Sequence, residues 1–286
     1  MIVKTLKRTF SEALIDYYPE TEIDSFFNLL AENVLKMKRI DVTLNLYAVV
    51  SGKKHNRFKA SIDRLRNYEP IQYILEETEF YGLPFKVSQD TLIPRPETEE
   101  LVDWILKLET SKNKEVRILD IGTGSGCIAI SLAKHLPNAE VFALDVSSKA
   151  LQIAKHNAQL NQVEITCIEK DILAPNIDFE SLYGKFDIIV SNPPYVRQLE
   201  KAQMKPNVLE NEPHLALFVD DENPLIFYKA ISDFGINNLR KKGHLFFEIN
   251  EYLGDDMIAL LERNHFGEIE LKQDLFGKDR MIKGEI

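Results

Sequence analysis

The chain has 286 residues, 44% of them hydrophobic and 28% charged, with a formal net charge of −10. This composition supports a packed core and excludes a largely disordered chain. The acidic balance argues against a protein whose main affinity comes from neutralising phosphates. No apolar run reaches the ~18 residues needed to span a bilayer, and no signal-peptide pattern opens the sequence, so a cytoplasmic protein is expected. Cys127 and Cys167 are expected to be reduced, buried thiols. The six histidines have no ligand spacing, so no metal site is expected. Lys53 to Arg57, with Lys59, Arg64 and Arg66, reads either as a local basic patch or as a solvated helix face.

In chain order, residues 1–75 read as a small helical bundle. Leu6, Phe10, Leu14 and Ile15 recur near helical spacing, as do Ile23, Phe26, Phe27, Leu30, Val34 and Leu35. Asp41 is placed to cap a short third helix, and a fourth runs through Ile62 and Leu65. Residues 76–95 alternate apolar and polar around Gly82 and Pro84, which predicts a β-hairpin linker. A new helix starts near Pro96, with acids at its positive dipole end, and opens a second domain over 96–286. There, strands at 116–121, 141–145, 165–169, 186–190, 245–249, 269–272 and 280–283 alternate with helices at 125–136, 148–160, 224–240 and 252–264. The pattern predicts an α/β fold with a mostly parallel, seven-stranded sheet covered on both faces.

The first of these strands runs into "LDIGTGSGCIAI". Gly122, Gly124 and Gly126 let the backbone turn tightly and approach a ligand beyond the strand's carboxyl end. The nicotinamide fingerprint would need glycine at 127, where Cys127 stands. With Asp120 ahead of the glycines, the loop resembles the first motif of the class I S-adenosylmethionine methyltransferases. Asp145, at the tip of the second strand, is placed to accept both ribose hydroxyls of a nucleoside cofactor. Asp171 and Ile172, after the third strand, resemble the pair that reads the adenine amino group and packs on its ring.

The fourth strand ends in "SNPPYV", residues 191–196. Asn192 offers a side-chain carbonyl oxygen. Pro193 offers a main-chain carbonyl held stiffly by Pro194, which has no N–H. Two such acceptors hold a planar NH₂ group by its two hydrogens, and Tyr195 is expected to stack behind it. Holding both hydrogens aligns the nitrogen lone pair with a methyl donor and stabilises the charge that develops on nitrogen. Asn192, Pro193 and Tyr195 are therefore the candidate catalytic residues, and Asn192 to Tyr195 the candidate substrate cradle. Asn-Pro-Pro-Tyr resembles the amino-methyltransferase motif shared by enzymes acting on adenine or cytosine in DNA, guanine in ribosomal RNA, and glutamine in protein. By itself it leaves these substrates open.

Flanking stretches narrow the choice. "EPIQYIL" (69–75), "FYGLPFKVSQDTLIPRPETEELV" (80–102), "DIGTGSGCIAISLA" (120–133), "SNPPYV", "NEPHLAL" (211–217) and "DLFGKDRMIKG" (274–284) together resemble the peptide chain release factor N5-glutamine methyltransferases, the HemK/PrmC family. The resemblance implies a class I, Rossmann-like catalytic domain and S-adenosylmethionine as cofactor. It implies methylation of the Gly-Gly-Gln glutamine of bacterial class 1 release factors, in the course of translation termination. Gly122, Thr123, Gly124, Ser125, Gly126, Asp145, Asp171, Ile172 and Asn192 would line the cofactor site. The N-terminal domain would dock the release factor, near the ribosome, with no direct nucleic-acid binding and a monomeric enzyme. The chain departs from the family pattern at Glu76, in "FVDDENPL" (218–225), and at Asn250, where the family tends to carry glycine. The alternative is a nucleic-acid exocyclic-amine methyltransferase, which would need a basic channel and an element that extracts a base.

Overall fold

Apolar residues at every third or fourth position fold the first part of the chain into helices. The computed structural model describes residues 1–108, 115–174 and 179–286. It contains α1 (Val3–Leu14), α2 (Glu20–Leu30), α3 (Arg39–Leu44), α4 (Gly52–Arg66) and α5 (Ile71–Leu75). Met1–Glu76 form one compact unit together with Lys205–Asn211, and Glu77–Met204 with Glu212–Ile286 form the other. In the first unit, Phe10, Phe27 and Phe58 meet with ring centroids 5.5–6.1 Å apart, an arrangement that adds to the area they bury. Leu6, Phe10 and Leu14 are buried as expected, but Ile15 is exposed. It lies just past the end of α1, a further 100° around the helix from Leu14. Asp41 does cap α3, but from inside the first turn, where its carboxylate accepts the Lys38 N–H at 3.0 Å. Three arginines of the basic run have partners within the unit. Arg57 donates to Asn33, Arg64 pairs with Glu69, and Arg66 donates to the Ala13 carbonyl.

The second unit opens with the hairpin β1 (Glu77–Phe80) and β2 (Leu83–Lys86), then α6 (Pro96–Leu108), β3 (Arg117–Ile121), α7 (Cys127–His135), β4 (Glu140–Asp145), α8 (Ser148–Asn161) and β5 (Thr166–Glu169). α9 (Phe179–Tyr183), β6 (Phe186–Ser191) and β7 (Val196–Arg197) follow, and α10 (Pro206–Leu209) belongs to the first unit. The remainder is β8 (Phe218–Val219), α11 (Ile226–Asn238), β9 (Leu239–Glu248), α12 (Gly254–Arg263), β10 (Gly267–Gln273) and β11 (Asp279–Glu285).

Seven strands pair in the order β10-β11-β9-β6-β3-β4-β5. Those from β9 to β5 are parallel, and β11 runs antiparallel to both its neighbours. Alternate residues feed opposite faces, as the pleat requires. Ile118, Ile188 and Phe246 pack with α6 and α7 residues such as Trp104 and Ile128. Leu119, Ile189 and Phe247 pack with Tyr228, Met257 and Leu260 from α11 and α12. The helix expected over 224–240 stops at Asn238, and Leu239 instead opens β9 by pairing with Phe186. The short parallel pair of β7 and β8 was not foreseen. Among the described residues, no helix is long and apolar enough to cross a membrane.

Connection order reverses at β3, whose neighbours are β4 on one side and β6 on the other. A crevice opens beyond the carboxyl ends of strands at such a point. Ile121 and Ser191 are register partners there, and the Ser191 hydroxyl donates to the Ile121 carbonyl at 2.6 Å. The glycine loop and the Asn-Pro-Pro-Tyr segment therefore leave the sheet side by side.

One side chain fastens the hairpin to this crevice. Asn157 of α8 is fully buried; its Oδ1 accepts the Lys86 N–H at 2.7 Å. Its Nδ2 donates to the Lys86 and Ser125 carbonyls, each at 2.9 Å. Asn157→Ala strips three backbone groups of their partner and should destabilise the protein by about 2–4 kcal/mol, read as a lower urea midpoint with an unchanged slope.

Candidate functional site

All three loop glycines have positive φ, but they do different work. A Cβ at Gly122 (φ +75°) or Gly124 (φ +54°) would meet nothing within 4 Å. One at Gly126 would lie 2.8 Å from Ile130 Cδ1 and 3.1 Å from Ala154 Cβ. The first two leave space for a ligand, and the third lets α7 approach α8. The loop is tied to β4, since the N–H groups of Gly122 and Thr123 both donate to the Leu144 carbonyl. Thr123 and Ser125 are buried. The Thr123 hydroxyl donates to Asp120 Oδ2 at 2.6 Å, and the Ala129 N–H reaches the same oxygen at 3.3 Å. Asp120 Oδ1 has no hydrogen-bond partner among the described residues. Burial pushes the Asp120 carboxyl up to about 7.

Asp145 stands at the tip of β4. Its Oδ2 accepts the Gly124 N–H and its Oδ1 the Ser147 N–H, both at 2.9 Å. Burial raises its pKa, and these two donors work against the rise. Each carboxylate oxygen keeps lone-pair capacity for a further donor.

Asp145, Gly122 and Gly124 face a cavity of about 230 Å³. Gly122, Gly124, Asp145, Asp171, Ile172, Asn192, Pro193 and Pro194 all line it, so most of the residues singled out from sequence meet in one place. Thr123, Ser125, Gly126 and Tyr195 do not line it. Further parts of the wall come from Gln89–Leu92, from Leu215 and Ala216 of the "NEPHLAL" stretch, and from Phe227 and Ile231 of α11. That stretch is anchored by Glu212, which is buried, pairs with Arg95 and accepts the Ile93 N–H. Two of the sequence motifs, "LIPRPETE" and "NEPHLAL", are thus joined in space.

The Asn192 amide is held from behind. Its Nδ2 donates to Thr98 Oγ1 at 3.2 Å, and Thr98 donates to Glu248 Oε2 at 2.6 Å. Tyr195 was expected to present its ring to a bound amide. It does not line the cavity; its ring packs at the edge of the core, and its hydroxyl donates to Glu248 Oε1 at 3.0 Å. Burial, above all, raises the pKa of Glu248, whereas the donors Thr98 and Tyr195 lower it. Asn250, at one of the family's glycine positions, uses its side chain to donate to the Tyr195 carbonyl at 3.3 Å. Sequence reasoning did not single out Thr98 or Glu248, although Thr98 lies inside the quoted "PRPETE" stretch. Cys127 and Cys167 are free but only partly buried, less than expected.

Comparisons with known proteins place the chain in a family. The methyltransferase small domain family matches residues 104–215, and the PrmC N-terminal domain family matches residues 5–75. A release factor glutamine methyltransferase of Flavobacterium psychrophilum is 53% identical over 99% of each chain. One from Bacteroides thetaiotaomicron is 44% identical over 95% of each. A solved methyltransferase from Pyrococcus furiosus shares the fold at 17% identity, with a TM-score of 0.51 over 79% of this chain and 98% of that one.

The raised Asp120 carboxyl has a measurable consequence. Between the unfolded value near 3.9 and the folded value of about 7, the folded state binds more protons. The Asp120 contribution to stability is therefore full below about pH 4 and is lost as pH rises through about 7. The urea midpoint should fall between about pH 4 and pH 7. The fall should be smaller in Asp120→Asn, which cannot ionise.

Proposed function

Since the chain belongs to the release factor glutamine methyltransferase family, we propose that it methylates the side-chain amide nitrogen of the glutamine in the Gly-Gly-Gln motif of peptide chain release factors. The observation that carries this reading is the Asn192-Pro193-Pro194 segment on the wall of the same cavity as Gly122, Gly124 and Asp145. Acceptors for an NH₂ group and the features of a nucleoside-cofactor site thus share one cavity.

The residues present fit S-adenosylmethionine. Gly122 and Gly124 keep a face open to close approach, Asp145 offers two acceptor oxygens, and Asp171 with Ile172 supplies an acid beside an apolar wall. The cofactor supplies an electrophilic methyl on a sulfonium sulfur. Asn192 Oδ1 and the Pro193 carbonyl accept the two amide hydrogens, which fixes the nitrogen and stabilises the charge it gains. Once methylated, the amide nitrogen would carry a positive charge and two acidic protons held by these two acceptors, so it would give one up without a strong base. The apolar wall, with Leu92, Leu215 and Phe227, limits water around the reacting nitrogen.

The helical unit carries none of these cavity residues, and its proposed role is to dock the release factor. The reaction belongs to the cytoplasm, where release factors act. The reading is tested by mass spectrometry of release factor peptides after incubation with the enzyme and S-adenosylmethionine. A methyl group should appear on the Gly-Gly-Gln glutamine, and a Gly-Gly-Asn variant should react at least a hundredfold more slowly, because its nitrogen is displaced by about 1 Å or more. Asn192→Ala should lower turnover by about 10²–10³. Asp145→Ala should instead weaken cofactor binding by about 1.5–3 kcal/mol in calorimetric titration. A faster reaction on an adenine-containing oligonucleotide would transfer the assignment to the nucleic-acid enzymes.

A further inference from the structure

We propose that Thr98 and Glu248 are positioning residues that dictate which way round the Asn192 amide sits, and so whether the site presents an acceptor or a donor to its substrate. The inference rests on the role of Asn192 given above.

An asparagine amide is nearly symmetric in shape, so packing alone sets its sense weakly. Here the sense follows from counting hydrogens. Glu248 is 1% exposed; burial raises its pKa, while the Thr98 and Tyr195 hydroxyls and the Arg280 charge favour its ionised form, in which both oxygens only accept. Oε1 takes the Tyr195 hydroxyl at 3.0 Å and Oε2 takes the Thr98 hydroxyl at 2.6 Å. Thr98, 2% exposed, thereby spends its one hydrogen on Glu248. Toward Asn192, 3.2 Å away, Thr98 Oγ1 has only lone pairs left, so the group facing it must be the Asn192 NH₂. The Asn192 carbonyl oxygen is then turned away from Thr98 and left for a ligand. With the amide reversed, two acceptors would face each other at Thr98, and an NH₂ would face the substrate's NH₂.

The charged end of this relay is itself held in place. The Tyr228 hydroxyl donates to the Glu248 carbonyl at 3.1 Å. Arg280 donates to the Ile249 carbonyl at 3.3 Å and to Asp274 at 3.1 Å. The relay thus joins residues 150 positions apart in sequence and ends on the atom that the reaction needs.

Thr98→Val keeps the shape of the side chain and removes the hydroxyl, while Thr98→Ser keeps the hydroxyl. In steady-state methylation of an intact release factor, Thr98→Val should lower kcat by about 10–100-fold with the calorimetric affinity for S-adenosylmethionine within about twofold. Thr98→Ser should recover kcat to within about threefold of wild type. Glu248→Gln, which brings a donor into the relay, should also lower kcat. A second readout needs no substrate. In protein labelled with ¹⁵N at asparagine, the Asn192 side-chain NH₂ resonances should shift and exchange faster in Thr98→Val but not in Thr98→Ser. Unchanged kcat in folded Thr98→Val, or failure of Thr98→Ser to rescue it, would overturn the positioning role while leaving the methylation reading intact. A wild-type enzyme that methylates no release factor would instead sink the function, and the amide resonances would still decide whether the relay exists.

Discussion

A carboxylate with almost no access to water is the constraint around which the second unit is arranged. Removing such a charge from solvent costs several kcal/mol unless donors and a nearby cation compensate. Glu248, at the end of β9, finds its donors in Thr98 of α6 and in Tyr195, just beyond β6, and Arg280 of β11 adds a favourable charge. Segments distant in sequence must converge for that compensation to be complete. A partly formed arrangement would be worse than an apolar one, because any missing donor leaves a buried charge exposed to the full desolvation penalty. The convergence ties the end of β6 to α6 and β9 by hydrogen bonds, and the end of β6 is where the chemistry is proposed to happen.

The sheet supplies the remaining order. Because Ile121 and Ser191 are register partners, a glycine loop and a proline-stiffened turn start from one level. The loop remains close to β4 because two of its N–H groups share the Leu144 carbonyl, which brings Gly124 to the carboxylate of Asp145. Cofactor features and substrate features are thereby brought together by backbone pairing, before any side chain contributes specificity.

Much of this was legible in the sequence, and the physics explains which parts were. Strands such as Phe186–Ser191 are buried on both faces and read as short apolar runs. The glycine loop and the paired prolines announce themselves because few other residues tolerate those backbone conformations. Thr98 and Glu248 were illegible, since a contact between residues 150 positions apart leaves no periodicity. Asn157 was hidden for a related reason: its partners are backbone groups, which carry no residue-type signal. The early start of β9 was masked by Arg240, Lys241 and Lys242, whose exposed side chains look like loop. Nor does any local pattern reveal that Lys205–Asn211 belong with the N-terminal helices. The ring of Tyr195 was assigned to the ligand from its motif alone, whereas its hydroxyl is engaged by a carboxylate that only the fold brings near.

The reversed strand β11 has a consequence for how the chain reaches this state. It follows β10 in sequence but lies between β10 and β9, so β9 gains its outer neighbour only from the last strand of the chain to be made. Until it does, β9 is an open edge carrying Phe246 and Phe247, both fully buried in the finished sheet. Unpaired apolar edges of this kind are where nascent chains stick to one another. During synthesis, the interval between completing β9 and completing β11 is one in which that edge stays open. Slow translation of that interval, or substitutions that weaken the hairpin, should therefore reduce the yield of folded protein more than they reduce its final stability.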